Sequence, residues 1–517
     1  MKIYDPRIKV RLIKTVSRFA GAYVDEGKQT YDAAGKTAVS ARYRKIPEVI
    51  NLHPLLGEMG GVRTTKSVRQ PAGGFTITLA DKMQPLVMDS VYAMVEPMDL
   101  VEIRFCHDPS DASYAKPGKE FNPPVVMRGF VTNVTRDEVM GGDGRPSRRV
   151  VITGQDYGKL WQIFQIYYLQ NFAMGEIYLS EYKFLEKYGR DAGFDTMQPV
   201  GDFLPALIKN VLNPYLKRLT WADGDAKLYG MVRSFSYKVS AEGSISPFVL
   251  SNFENVSLYQ MLTTLTDVGA FNEIYTEDTE DAVNVVLRPV PFKSLTTGKY
   301  IQDKASAENV VIKDVDIQAI NATRSDSGVA NWFWVDVNRW NLMKDMDYRV
   351  WVQNQNPALS NRFNYENSLL ARYCFRQMQT QISMGPPGAS NNSDKGTEKA
   401  AALGQSAIYD QKWLDDRLKV LAESNKDNVV YESGVMKLRG NEKIKAGMYV
   451  IAKMGASKVA NPLASDPECY AVQVDHEFMP FQGFYTTVMY ERGTGFVTRN
   501  SKEVSPYLAE INAKGAA

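Results

Sequence analysis

The sequence predicts an α+β, β-rich chain in which two groups of short strands are separated by a helical stretch and a small helix-plus-hairpin module. Three observations carry that expectation. Alternating apolar patterns fill residues 73–156 and return after Val310, helical spacing lies mostly between them, and 517 residues exceed what one ordinary core holds. Hydrophobic residues make up 44% of the chain and the formal net charge is +2, so no whole-molecule attraction to nucleic acid or anionic membrane follows.

Residues 1–72 read as a basic N-terminal arm. Positions 1–70 hold fourteen Lys and Arg against six Asp and Glu. The aromatics there are few and scattered, which suits a protein partner better than the stacking platforms of a nucleic-acid surface. The opening "MKIYDPRIKV" has charges and a proline where a signal peptide needs an apolar core. Leu160–Leu169 is too short to span a bilayer, so no membrane insertion is expected. Cys106, Cys374 and Cys469 are odd in number and widely spaced, which argues against a disulfide scaffold and for a reducing compartment.

Residues 73–156 read as the first β-barrel. Phe75, Ile77 and Leu79 alternate, Val87 to Val95 follows as a second strand, and Val101, Ile103 and Phe105 alternate again. The stretch "VVMRGFVTNV" and the return strand Arg149 to Thr153 complete five strands around a connection rich in glycine. Asp156 is placed to cap a helix with Leu160, Phe164 and Tyr168 four apart. Residues 157–250 form a helical module: Leu204, Leu207, Ile208, Val211, Leu212 and Tyr215 make one stripe, with Asp202 as cap and Pro214 at the end.

Residues 251–309 predict a helix with Leu258, Met261, Leu262 and Leu265 on one side, closed by Gly269, then a hairpin with a solvated acidic turn at Glu277–Asp281. Residues 310–384 begin the second barrel, including the strand "ANWFWVDVN", with helical character around Asn367–Met384. Residues 385–406 are a flexible linker and the expected first proteolytic cut. Residues 407–517, a helix at Ile408–Leu421 and a β tail, complete the second barrel.

Motifs for chemistry are weak. Cys106, His107 and Asp108 are consecutive, so their side chains point to opposite sides of an extended chain and cannot form a triad. Asp475, His476 and Glu477 fail for the same reason. The three histidines lack zinc spacing, and no Walker loop or zinc-protease helix is present. The acidic turn lacks the glycine and terminal glutamate of a calcium loop, and "GGDGRPS" joins two strands where a phosphate loop would open a helix. A glycoside-hydrolase carboxylate pair has no sequence signature and stays open. No catalytic, cofactor or metal residue is assigned, and no cofactor is expected.

"VVMRGFVTNV" followed by "RRVVITGQDYGKLWQ" resembles the barrel signature of baseplate hub proteins of contractile-tailed bacteriophages, related to the base of type VI secretion spikes. The matching positions are Gly129, Phe130, Val131, Gly154, Asp156 and Leu160. "VEPMDLVEIRF" resembles the family's turn-and-strand entry, but Met98 stands before Asp99 where a glycine is usual. The stretch from Ser257 through Arg288 and Pro289 resembles its helix-plus-hairpin module, and residues 434–450 and 470–493 its late β segments.

The resemblance implies two tail-tube-like barrels per chain, a homotrimer with six barrels in a ring, and a symmetry adaptor between a hexameric tail tube and a trimeric spike. It implies no enzyme activity, location in the virion tail baseplate after assembly in the host cytoplasm, and contacts with the tail tube protein, the spike or tip protein and other baseplate and tail-core proteins. Trp332, Phe333 and Trp334 offer aromatic area for such contacts. The alternatives are a tail-associated cell-wall hydrolase, a host-receptor-binding tail protein, and the hub of a phage-derived injection particle.

Overall fold

Strands dominate because Val, Ile, Thr and aromatic residues cluster in runs too short for helices. The computed structural model describes residues 6–14, 49–58, 60–81, 90–109, 122–140, 144, 146–166, 198–216, 232–245, 256–337, 365–387, 412–455 and 466–495. The first group of elements is β1 (Arg7–Ile13), β2 (Val49–Asn51), β3 (Gly61–Ser67), β4 (Gly74–Ala80), α1 (Val91–Met94), β5 (Leu100–Cys106), β6 (Val125–Met140) and β7 (Pro146–Asp156). The middle of the chain supplies α2 (Gly158–Ile163), β8 (Gln165–Ile166), β9 (Gln198–Pro199), α3 (Val200–Leu207), β10 (Phe235–Val239), β11 (Ser244–Ile245), β12 (Val256–Ser257), α4 (Leu258–Leu265), β13 (Asn272–Asp278) and β14 (Val283–Pro289). The last group is β15 (Asn309–Lys313), β16 (Ile317–Thr323), β17 (Trp332–Val337), α5 (Leu370–Tyr373), β18 (Gln377–Ile382), α6 (412–425), β19 (Glu432–Arg439), β20 (Tyr449–Lys453), β21 (Glu468–Met479) and β22 (Gly483–Thr494).

Both strand groups belong to one 13-stranded sheet, ordered β16-β19-β22-β21-β3-β4-β7-β6-β5-β1-β2, with β20 on β21 and β15 on β20. Antiparallel pairing of β3 with β21, from Gln473 opposite Ser67 to Phe478 opposite Val62, splices the two groups. Among the described residues no pairing closes either group, so the expected barrels are observed as open segments of a shared sheet. Strands β1, β2 and β3 lie within the stretch read as an arm. They are integral instead, because Val10, Leu12, Ile50 and Val62 alternate into the core of the first group. Residues 15–48 of that stretch lie outside the described residues.

Several local expectations change. The stretch read as a strand through Val95 is, at Val91–Met94, one helical turn, because Ser90 caps it by accepting the Ala93 N–H at 3.3 Å. Helix α2 stops at Ile163, and Tyr168 lies outside the described residues. Helix α3 continues through a π segment at Ile208–Leu212 and on to residue 216; Pro199 is its N-cap position, with Asp202 inside the first turn. Leu204, Leu207, Ile208, Val211 and Leu212 are buried as the stripe requires. In α4 the left-handed terminator is Asp267 (φ 50°), with Gly269 (φ 114°) two residues further.

Strand β17 is not part of the second strand group. It pairs in parallel with β18 as a separate two-stranded sheet packed on α6 through Phe333, Ile382, Leu414, Leu418 and Leu421. The helical pattern around Asn367–Met384 is only partly realised: Glu366–Ser368 and Leu370–Tyr373 are helical, and Gln377–Ile382 is a strand. The linker begins in a pinned segment: Ser244 and Gly385 exchange backbone bonds of 3.0 and 2.9 Å. Residues 388–411, most of the expected linker, lie outside the described residues.

Candidate functional site: an ion-pair junction around the hairpin

The hairpin β13–β14, with β10 added in parallel, stands between the two strand groups and touches both. On the side of the first group, alternation sends Val101, Ile103 and Phe105 of β5 into the apolar core and turns Glu102 and Arg104 to the other face, which is also buried. Arg11 of β1 and Arg128 of β6 are the register neighbours of Glu102. Glu102 therefore accepts from Arg11 Nε at 3.1 Å, Arg104 Nε at 2.7 Å and Arg128 Nε at 3.0 Å. Burial alone would raise its pKa, but the Arg104 and Arg11 guanidiniums prevail and hold the carboxyl at about 2.

The two strand guanidiniums also grip the hairpin tip. Arg104 donates to both Glu280 carboxylate oxygens at 3.1 and 3.0 Å, and Arg128 donates to the carbonyls of Thr279 and Glu280. Glu280 Oε1 also accepts the Val125 N–H at 3.2 Å. Beside this cluster Lys66 of β3 pairs with Asp278 and lies 3.3 Å from Asp156. Asp156 accepts from Thr276 Oγ1 at 2.7 Å and from the Gly158 N–H at 2.8 Å. Burial raises the Asp156 pKa against the opposing pull of Lys66. The acidic turn is thus solvated at Glu280 and Asp281 as expected, but Asp278 is buried on Lys66 and Glu280 is also held by Arg104, because the strands beneath present buried cations that need counter-charge.

On the opposite side Arg288 of β14 donates to Glu273 at 2.7 Å, to the Gly447 carbonyl at 2.6 Å and to the Ser306 carbonyl at 2.8 Å. Tyr470 of β21 donates to Glu273 at 2.7 Å. Burial pushes the Glu273 pKa up despite Arg288. Glu277 joins Lys238 at 2.8 Å and Lys445 at 2.9 Å; burial works to raise its pKa, and the two lysines lower it. A further tie runs directly between the strand groups, from His107 Nδ1 to the buried Glu442 at 2.8 Å, which raises the imidazole pKa.

The residues singled out by sequence fall into three structural roles. Gly129 and Gly154 sit where a Cβ would run into the Phe75 ring and the backbones of Gln155 and Phe130, so the ring of β4 covers both glycines. Phe130 stacks on Tyr157 at 5.1 Å, and Leu160 is buried in the same core. Asp156 holds α2 and the hairpin together, as a partner of the Gly158 amide with Tyr157 in the formal cap position. Asp99 is buried, pairs with Lys14 and accepts the Glu96 N–H at 2.8 Å. Met98 before it has φ 73°, the left-handed conformation that glycine would take without strain. Arg288 and Pro289 stand on the far flank of the hairpin, Pro289 opposite Asn272.

Lys66, Glu102, Arg104, Arg128 and Glu273 were missed, because period-two alternation does not say that both faces of a strand are buried. His476 is a buried strand residue bonded to Thr486 Oγ1 at 3.0 Å and the Ile444 carbonyl at 3.2 Å, and burial lowers its pKa to about 4. Asp475 instead turns to Arg63 at 2.7 Å. None of the three cysteines is joined in a disulfide, and Cys106 and Cys469 are buried. Among the described residues no group of three or more His, Cys, Asp and Glu side chains is placed to hold a metal ion, and no helix is long and apolar enough to cross a membrane.

No family model matches the chain, and no curated protein matches it. Among solved structures it is similar to a tail protein from Neisseria meningitidis MC58, with TM-score 0.43, 9% identity, and coverage of 94% of this chain and 97% of that one. The 43 kDa tail protein of prophage MuSo2 from Shewanella oneidensis gives TM-score 0.38 and 10% identity over 86% and 94% of the two chains. An E. coli component of the type VI secretion system, described as structurally similar to the T4 bacteriophage tail proteins gp27 and gp5, gives TM-score 0.34 and 6% identity over 86% and 76%.

Proposed function

We propose that this chain is a structural component of a phage-type tail, a baseplate hub that joins a hexameric tail tube to a trimeric spike and acts as a homotrimer without enzymatic activity. The observation that carries the reading is the splice of two strand groups into one sheet, braced across the splice by an ion-paired hairpin. A trimer that mimics sixfold symmetry needs two strand groups held at a fixed relation in each chain, since a loose pair could not present near-equivalent edges to six tube subunits. The basic N-terminal stretch would dock on another tail component, and the same design would serve a phage-derived injection particle.

Native mass measurement of the full chain and electron microscopy of the particle containing it test the reading. Three copies per ring, with two strand groups each facing the tube, are expected. A ring of six whole chains, or tube contact through one group only, rejects the adaptor role. Release of soluble fragments from peptidoglycan by the purified chain would reject the non-enzymatic reading.

A further inference from the structure

Two polar atoms at the centre of the junction have no hydrogen-bond partner among the described residues. Thr64 Oγ1 on β3 and Asp278 Oδ1 on β13 are both shielded from solvent. Both residues line a cavity of about 40 Å³ that lies between the first strand group, the hairpin and the segment holding Glu442 and Ile444. Lys66 fixes Asp278 by its other carboxylate oxygen, so Oδ1 cannot turn away to find a partner without breaking that ion pair. His476, opposite Thr64 in the strand register, has both ring nitrogens engaged elsewhere.

We propose that this cavity is an internal water site, in which bound water donates to Asp278 Oδ1 and bonds Thr64 Oγ1. The volume suffices for two or three waters, at roughly 10–15 Å³ of such space for each. The site is polar, and water that bridges otherwise unpaired buried groups is a regular part of protein interiors. The charge balance selects water over a cation. Each carboxylate of the lining already has a partner: Asp278 pairs with Lys66, which it shares with Asp156, Glu277 with Lys238 and Lys445, and Glu442 with His107. The site ties β3 to the hairpin by hydrogen bonds, beside the residues of the second strand group that line the same cavity. This inference does not depend on the proposed role in a tail.

The test combines a structure of the full chain at a resolution that shows water with the isosteric variant Thr64→Val. A density peak within hydrogen-bond distance of both atoms is expected, and T64V should lower the melting temperature by roughly 2 °C by taking one partner from the bound water. An empty cavity, together with a T64V melting temperature above that of the parent, would overturn the proposal, since the substitution would then only have removed an unpaired hydroxyl. A melting temperature that rises with potassium or sodium at constant ionic strength would overturn it in favour of a cation site.

Discussion

The two flanks of the hairpin are held by opposite arrangements of charge. Towards the first strand group the hairpin brings carboxylates and carbonyls, and the sheet brings Lys66, Arg104 and Arg128. Towards the second group the hairpin brings Arg288, already paired with Glu273 on its neighbouring strand, and Glu277, already paired with Lys238 of β10 before Lys445 is added. The first flank therefore completes a charge cluster only on docking, whereas the second docks a surface that is already neutral. Formation of the first flank is coupled to folding of the sheet beneath it; formation of the second is closer to simple association.

That contrast can be broken by substitution. Arg128→Met removes a fully buried guanidinium that serves Glu102 and the hairpin tip at once, and should cost about 3–5 kcal/mol in denaturant unfolding. Acid should act nearly as strongly on the same flank. The folded pKa of Glu102 is depressed, so its contribution is present above pH about 4.5 and is lost as pH falls towards 2, a loss of roughly 3 kcal/mol that Glu102→Gln should remove from the pH profile. On the other flank Glu273 is raised, so its contribution is present at low pH and falls as pH rises through the raised value. Acid should loosen the first flank more than the second, where Glu277 alone is held below its usual value and Glu273 is raised, and hydrogen exchange resolved by segment can read the difference.

Arg288→Met should cost less than Arg128→Met, about 2 kcal/mol, because Glu273 can take up a proton and keep its bond with Tyr470. Equal losses for the two arginine variants would end the distinction between the flanks. The smallest effect is expected outside the junction: Met98→Gly relieves a left-handed residue at the turn into β5 but loosens the unfolded chain, so its melting temperature should stay within about 2 °C of the parent.

Much of this architecture was legible in the sequence where one physical cause acts alone. The β6–β7 hairpin followed from alternation and its glycine-rich connection, and α4 from a four-residue apolar stripe; the structure adds its cap, Ser257, which accepts the Gln260 N–H at 3.2 Å. Gly129, Gly154 and Asp156 stood out through the resemblance, and each has a steric or hydrogen-bonding reason for its identity. The junction was hidden because "VEIRF" reads the same whether its charges face water or a second layer of protein. Strand β17 was misassigned for a related reason: alternation in "NWFWVDV" identifies a strand but carries no information about which sheet receives it.

The pairing of β3 with β21 also bears on how the protein comes into being. Arg63 and Asp475, which face each other across this seam, are 412 positions apart in the chain. At the usual pace of about 5–20 residues per second, a ribosome needs on the order of tens of seconds between making the two strands. During that interval β3 has β4 on one side and no native neighbour on the other, a bare row of amides and carbonyls able to capture the wrong strand. The late arrival of β21 thus makes the synthesis of that strand, and not the appearance of the first strand group, the event that shields this edge, and a chain cut short before Glu468 keeps it open to its neighbours.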